Sequence, residues 1–103
     1  MGTMRTEYIY TTTGPQRPVF LGPDGADVRY TLDIGLKGAA SVQVTHDPVE
    51  QVARGRAQWE DGGHLAAGVY GVTAMRVVIK RVDGWVTLVI ERGTEGETHD
   101  RPQ

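Results

Sequence analysis

From Val28 to Leu36 an apolar side chain stands at every second position. Val28, Tyr30, Leu32, Ile34 and Leu36 alternate with Asp27, Arg29, Thr31, Asp33 and Gly35. Successive side chains of a β-strand point to opposite faces, so this period of two predicts a strand with one buried and one wet face. Around it lie short runs rich in Val, Thr, Tyr and Ile, and the 14 glycines fall between the runs rather than in a repeat. Closely spaced β-like runs divided by turn residues predict a mainly β fold. The expected architecture is a single small antiparallel β-sandwich or barrel with at most one short helix near 48–54.

A second pattern lies near the C-terminus. Val82-Asp83-Gly84-Trp85 has the Asp-Gly pair favoured in two-residue type I′ turns. A hairpin closed there sets Ile79 opposite Leu88, Val77 opposite Ile90 and Arg81 opposite Val86 on one face. On the other, Val78 meets Val89, Lys80 meets Thr87 and Arg76 meets Glu91, and a one-residue slip would oppose apolar to polar. That second face mixes Val78, Val82, Trp85 and Val89 with Arg76, Lys80, Thr87 and Glu91. It is neither fully wet nor a core face; the N-terminal segment or another subunit is expected to cover it, the remaining reading being single exposed valines of no consequence.

Pro23-Asp24-Gly25 reads as a tight turn, which makes Val19-Phe20-Leu21 a short partner for the 27–36 strand. Lys37-Gly38-Ala39 should turn the chain into Ser41–His46, with Val42 and Val44 facing in. Asp47-Pro48-Val49-Glu50 carries a helix start, with Asp47 as cap, Pro48 in the first turn and Glu50 completing a capping box; Gly55 should end it. The stretch 60–71, with Gly62, Gly63, Gly68 and Gly71, reads as a loop. Residues 1–22 are expected to form an arm or edge strand, since Tyr8-Ile9-Tyr10 is strand-prone and is soon interrupted by Gly14, Pro15 and Pro18. Residues 23–92 form the sandwich body, and 93–103 a flexible polar tail without apolar anchors.

With 103 residues there is room for one domain, and with no cysteine its core must hold without disulfide or thiolate–metal links. The net charge is −2, and residues 24–92 carry nine acids against eight bases. No basic excess points to nucleic acid, and no apolar run is long enough for a membrane span. The start lacks the apolar stretch of a signal peptide, and Gly2 with Thr6 matches the myristoylation pattern only by chance.

Chemistry-bearing constellations are few. Asp61 and His64 form at most half a metal site, His46 is expected to be a hydrogen-bonded strand-end histidine, and His99 lies in the tail. Glu60 and Asp61 are adjacent loop acids rather than carboxylates flanking a cleft. Ser41 lacks a nucleophile elbow, and no glycine pattern here cradles phosphate. The expectation is a protein without enzymatic activity, cofactor or metal. Trp59, in polar surroundings, is either a plug over the sandwich end or an anchor at an interface or sugar-stacking surface.

The order of features from Asp27 to Glu91 resembles a group of small bacteriophage virion structural proteins. The residues that carry it are Val28-Arg29-Tyr30-Thr31, then Ser41-Val42-Gln43-Val44-Thr45 with Asp47-Pro48 after them. Trp59, Gly68-Val69-Tyr70, Thr73-Ala74-Met75-Arg76-Val77 and the 86–90 strand complete the series. Tyr70-Gly71-Val72 departs from that group, which tends to an aromatic-proline step there. The resemblance implies a head decoration (cement) protein, made in the host cytoplasm and placed on the capsid surface. Its partner would be the major capsid protein or another virion protein, with neither nucleic acid nor membrane, and it would be a homo-oligomer. The alternatives are a tail or head-tail connector component, or a non-catalytic carbohydrate-binding module. Tyr8, Tyr10, Trp59, Val78, Trp85 and Val89 are the expected interface residues.

Overall fold

In the computed structural model, residues 3–62 and 64–93 are described. They form β1 (Thr3–Tyr10), β2 (Gly14–Pro15), β3 (Val19–Phe20), β4 (Ala26–Asp33), β5 (Ala39–Thr45), α1 (Val49–Ala53), β6 (Glu60–Asp61), β7 (Ala66–Val72), β8 (Ala74–Arg81) and β9 (Val86–Gly93). Two antiparallel sheets pack as a sandwich and do not close into a barrel. Sheet I has the order β1-β9-β4-β7. In sheet II, β2 and β3 lie in succession along one edge of β8, which then pairs with β5, and β5 with β6. The expected tail lies outside the described residues, apart from Gly93 at the end of β9.

The alternation from Val28 builds β4 as expected, with Val28, Tyr30 and Leu32 buried. It stops early. Asp33 ends the strand, Ile34 is half-buried and Leu36 is fully exposed. The reason is a change of sheet: Gly35 takes φ +75° and the chain passes from sheet I to β5 in sheet II. Beyond that bend the in-out pattern of β4 no longer has a core to refer to. Val42 and Val44 of β5 point inward as expected.

The predicted 82–85 hairpin does not form. β8 and β9 belong to different sheets, and none of the expected pairs is made. Ile79 lies beside Ala40 and Val77 beside Val42, whereas Leu88 lies beside Leu32 and Ile90 beside Tyr30. Val77, Ile79, Leu88 and Ile90 are all in the core, contributed by opposite sheets. The tip is held away from hairpin geometry by its neighbours. The Lys37 backbone N–H donates to the Asp83 carboxylate at 3.0 Å, and the Trp85 N–H donates to the Asp83 carbonyl at 3.1 Å. Two strands with apolar groups at every second position satisfy burial equally well side by side or face to face. Each gains a flanking strand on both sides in the second arrangement. Arg76 and Glu91 consequently sit on opposite outer faces of the molecule rather than paired.

Three smaller expectations are corrected by the same topology. β3 pairs with β8, Val19 beside Met75 and Phe20 beside Ala74, instead of with β4. The 23–25 turn exists, but it carries the chain across to sheet I. The 60–71 stretch contains strands β6 and β7, because backbone pairing with β5 and β4 needs no particular side chains. An extra residue in β7 near Gly71 (φ +65°) makes a bulge, fastened by the Gly71 N–H on the Asp27 carboxylate at 2.9 Å. Helix α1 is one short turn ended by Gly55 at φ +72°, yet Asp47 does not cap it. Its carboxylate accepts the Gln58 N–H at 2.8 Å and so ties down the segment leaving the helix.

Candidate interaction surface

β1 is the edge strand of sheet I, paired residue for residue with β9 from Thr3–Gly93 to Tyr10–Val86. Residues directly opposite share a face, so Thr6, Tyr8 and Tyr10 lie on the core side with Ile90, Leu88 and Val86. Arg5, Glu7 and Ile9 face outward with Glu91, Val89 and Thr87. The matching edge of sheet II is β2 and β3, broken by Pro15 and Pro18.

Along this seam the sandwich stays open. One concavity of about 210 Å³ is lined by Met4, Thr6, Tyr8, Val19, Phe20, Leu21, Ile90 and Arg92. An adjoining one of about 390 Å³ is lined by Tyr8, Tyr10, Arg17, Pro18, Val19 and Phe20. Tyr8, Val19 and Phe20 belong to both, so the two make one apolar groove. Phe20 is 48% exposed and Met4 58%. The Arg92 guanidinium braces the floor, donating twice to the Leu21 carbonyl at 2.9 and 3.1 Å. Burial pushes the Tyr10 phenol above its ordinary pKa, with Tyr8 adding to the shift, so it remains a neutral donor at the groove wall.

Of the residues expected at an interface, only Tyr8 and Tyr10 come together. Val78 lies on the outer face of sheet II and Val89 on that of sheet I. Trp85 is 62% exposed beside the 82–84 tip. Trp59 is half-buried with the Arg76 guanidinium 4.5 Å from its ring centroid, and Arg76 Nε donates to Gln43 Oε1 at 2.8 Å. Trp59 is therefore not a core plug: it lies over the outside of sheet II, with one ring face taken by a cation–π contact. Trp59 packs on Arg76 near the start of β8, whereas Trp85 lies beyond its other end in the link to β9.

The ionisable candidates are dispersed. Glu60 and Asp61 are successive residues of β6 and so point to opposite faces. Asp61 and His64 line one shallow hollow with Ser41 and Leu65. Among the described residues no group of three or more His, Asp or Glu side chains is placed to hold a metal ion. His46 is exposed, with Nδ1 2.9 Å from the Gly71 carbonyl oxygen, as a hydrogen-bonded residue just past the strand end. His99 lies outside the described residues.

Sequence reasoning does not single out Met4, Pro18, Val19 and Phe20 for an interface. The alternation Met4-Thr6-Tyr8-Tyr10 is a usable signal, but Phe20 reaches this groove only because β3 pairs with β8. Chemically the groove can take an apolar side chain while the neighbouring strand edge takes backbone hydrogen bonds. No protein-family model, curated protein or solved structure matches the chain.

Proposed function

We propose that this protein is a structural component of a bacteriophage particle, a head decoration protein that binds the outer capsid surface and stabilises it. The observation that carries this reading is the apolar seam between β1 and β2–β3, at which Met4 and Phe20 are exposed. An apolar side chain of a coat subunit can fill that groove. The motif order from Val28 to Ile90 supports the same class. A sandwich whose successive strands mostly lie in opposite sheets is a rigid body suited to bridging neighbours. Ligands that bind only the intact shell stabilise it by linkage, and several weak contacts held together add avidity.

The test is addition of purified protein to undecorated heads, with occupancy and thermal rupture both measured. Saturable binding with a raised rupture temperature is expected, and Phe20→Asp should lose both while remaining folded. Heads that bind none of it, with purified tails capturing it instead, would assign the groove to a tail or head-tail partner.

A further inference from the structure

Four segments form sheet edges among the described residues, and three are blunted in the ways proteins use to prevent strand addition. β6 is two residues long and both are acidic. β2 and β3 carry Pro15 and are separated by Pro18, neither of which has an N–H to offer. β7 contains the bulge at Gly71. β1 is eight residues long, in unbroken register with β9, with neither proline nor glycine between Thr3 and Tyr10. Its far edge pairs with no other strand among the described residues.

From this edge we infer that two copies of the chain join β1 to β1 in antiparallel fashion, about a two-fold axis at Thr6, making one continuous eight-stranded sheet. The register follows from face and charge. Paired residue numbers in an antiparallel contact add to a constant. An odd sum opposes a core-side residue to an outward one: sums of 13 and 15 set Tyr8 against Arg5 or Glu7 of the other copy, and a sum of 11 sets Met4 against Glu7. Even sums keep the apolar faces on one side. A sum of 10 opposes Arg5 to the partner's Arg5, and a sum of 14 opposes Glu7 to the partner's Glu7. A sum of 12 opposes Arg5 to the partner's Glu7 and Glu7 to the partner's Arg5, Met4 to the partner's Tyr8, and Thr6 to itself. It uses all of positions 3–9. Like charges directly opposite destabilise a sheet pair and unlike charges support it, so charge selects the register. Arg5 and Glu7 are more than half exposed in the single chain, where Arg5 lies 3.1 Å from Glu7 and 3.8 Å from Glu91, and both remain free to turn outward. Met4 and Tyr8 bring the two apolar grooves into one. This pairing is independent of which particle the protein serves, and it is measured without one.

The experiment uses the full chain. Sedimentation across a concentration series is expected to show a monomer–dimer equilibrium. Glu7→Arg sets arginine against arginine at both charged pairs of the contact. It should raise the dimer Kd about tenfold, the equivalent of about 1.4 kcal/mol. R5E/E7R restores unlike pairs and should recover the dimer; the added repulsion between position 5 and Glu91 acts in monomer and dimer alike. Because the chain has no cysteine, Thr6→Cys gives a clean reporter. Opposed side chains in such a pair are about 5 Å apart at Cβ, so it should oxidise to a covalent dimer, whereas Ile9→Cys should not. Thermal unfolding of each variant checks the fold. A monomer at every concentration up to about 1 mM, a dimer indifferent to both charge variants, or equal crosslinking at positions 6 and 9 would each overturn the inference. So would a β1 edge protected from hydrogen exchange only when a different protein is added.

Discussion

Gly38 has room for a hydrogen and nothing larger, because a Cβ there would collide with the Ile34 carbonyl oxygen. Gly38→Ala must shift the whole link between β4 and β5, and overpacking of that kind costs about 1–3 kcal/mol. Chemical denaturation should show the loss as a lower midpoint at unchanged slope. Tyr30 combines complete burial with a hydroxyl that donates to the His64 carbonyl at 2.8 Å. Burial raises its pKa, with a smaller contribution from Asp61, against the lowering effect of that hydrogen bond. A neutral phenol is thus favoured by the fold. Below the ordinary tyrosine pKa folded and unfolded chains are both protonated, and the stability Tyr30 contributes is fully present. Above about pH 10 the unfolded chain loses its proton first and stability falls as pH rises. Tyr30→Phe should reduce that alkaline loss while costing about 1 kcal/mol at neutral pH through the unpaired carbonyl, as pH-dependent melting curves will read.

Among the elements, the 82–85 link matters most, since it decides whether β8 and β9 share a sheet. Arg76 is held at Trp59 and Gln43, while Glu91 lies near Arg5 on the opposite face. A double-mutant cycle of Arg76→Ala and Glu91→Ala should therefore be additive within about 0.5 kcal/mol, where a hairpin would give measurable coupling. Asp83→Ala removes the acceptor of the Lys37 N–H and loosens the link between the 34–38 and 82–85 segments, at a cost of about 1 kcal/mol in denaturant titration. The expectation of a hairpin rests on Asp83-Gly84 and on matched apolar positions. Both are real, and Gly84 does take φ +82°. What they cannot convey is the hold that the Lys37 N–H has on Asp83 from another part of the chain, where Gly35 leaves room for the close approach.

For the whole molecule, most links carry the chain from one sheet to the other, so neighbours in sequence seldom pair. β1 closes sheet I by pairing with β9, the most distant strand in the chain. Removing residues 1–10 would uncover the edge of β9 and the core side of Leu88. The shortened protein should lose several kcal/mol by calorimetry and aggregate on warming, as expected of an exposed long strand edge. The candidate groove belongs to this scale as well. Tyr8 and Tyr10 are legible as apolar positions of a strand-prone segment, whereas Phe20 joins them through two separate pairings, β1 with β9 and β3 with β8.

Within the strands, local sequence was enough to say which side chains face inward, although Leu36, past the end of β4, is exposed. The period of two around Tyr30, Val42, Val77 and Leu88 names the buried face of each strand, because hydrophobic burial acts on every residue locally. It also marked where elements end, at Pro23 to Gly25, Gly55 and Gly84. Which strands are neighbours was settled at the tertiary level alone. Alternation specifies a face and not a partner, and backbone hydrogen bonds join any two extended segments alike. The order is fastened by contacts between distant parts of the chain, among them Asp83 to Lys37, Asp27 to Gly71 and Arg92 to Leu21, none of which has a signature in local sequence.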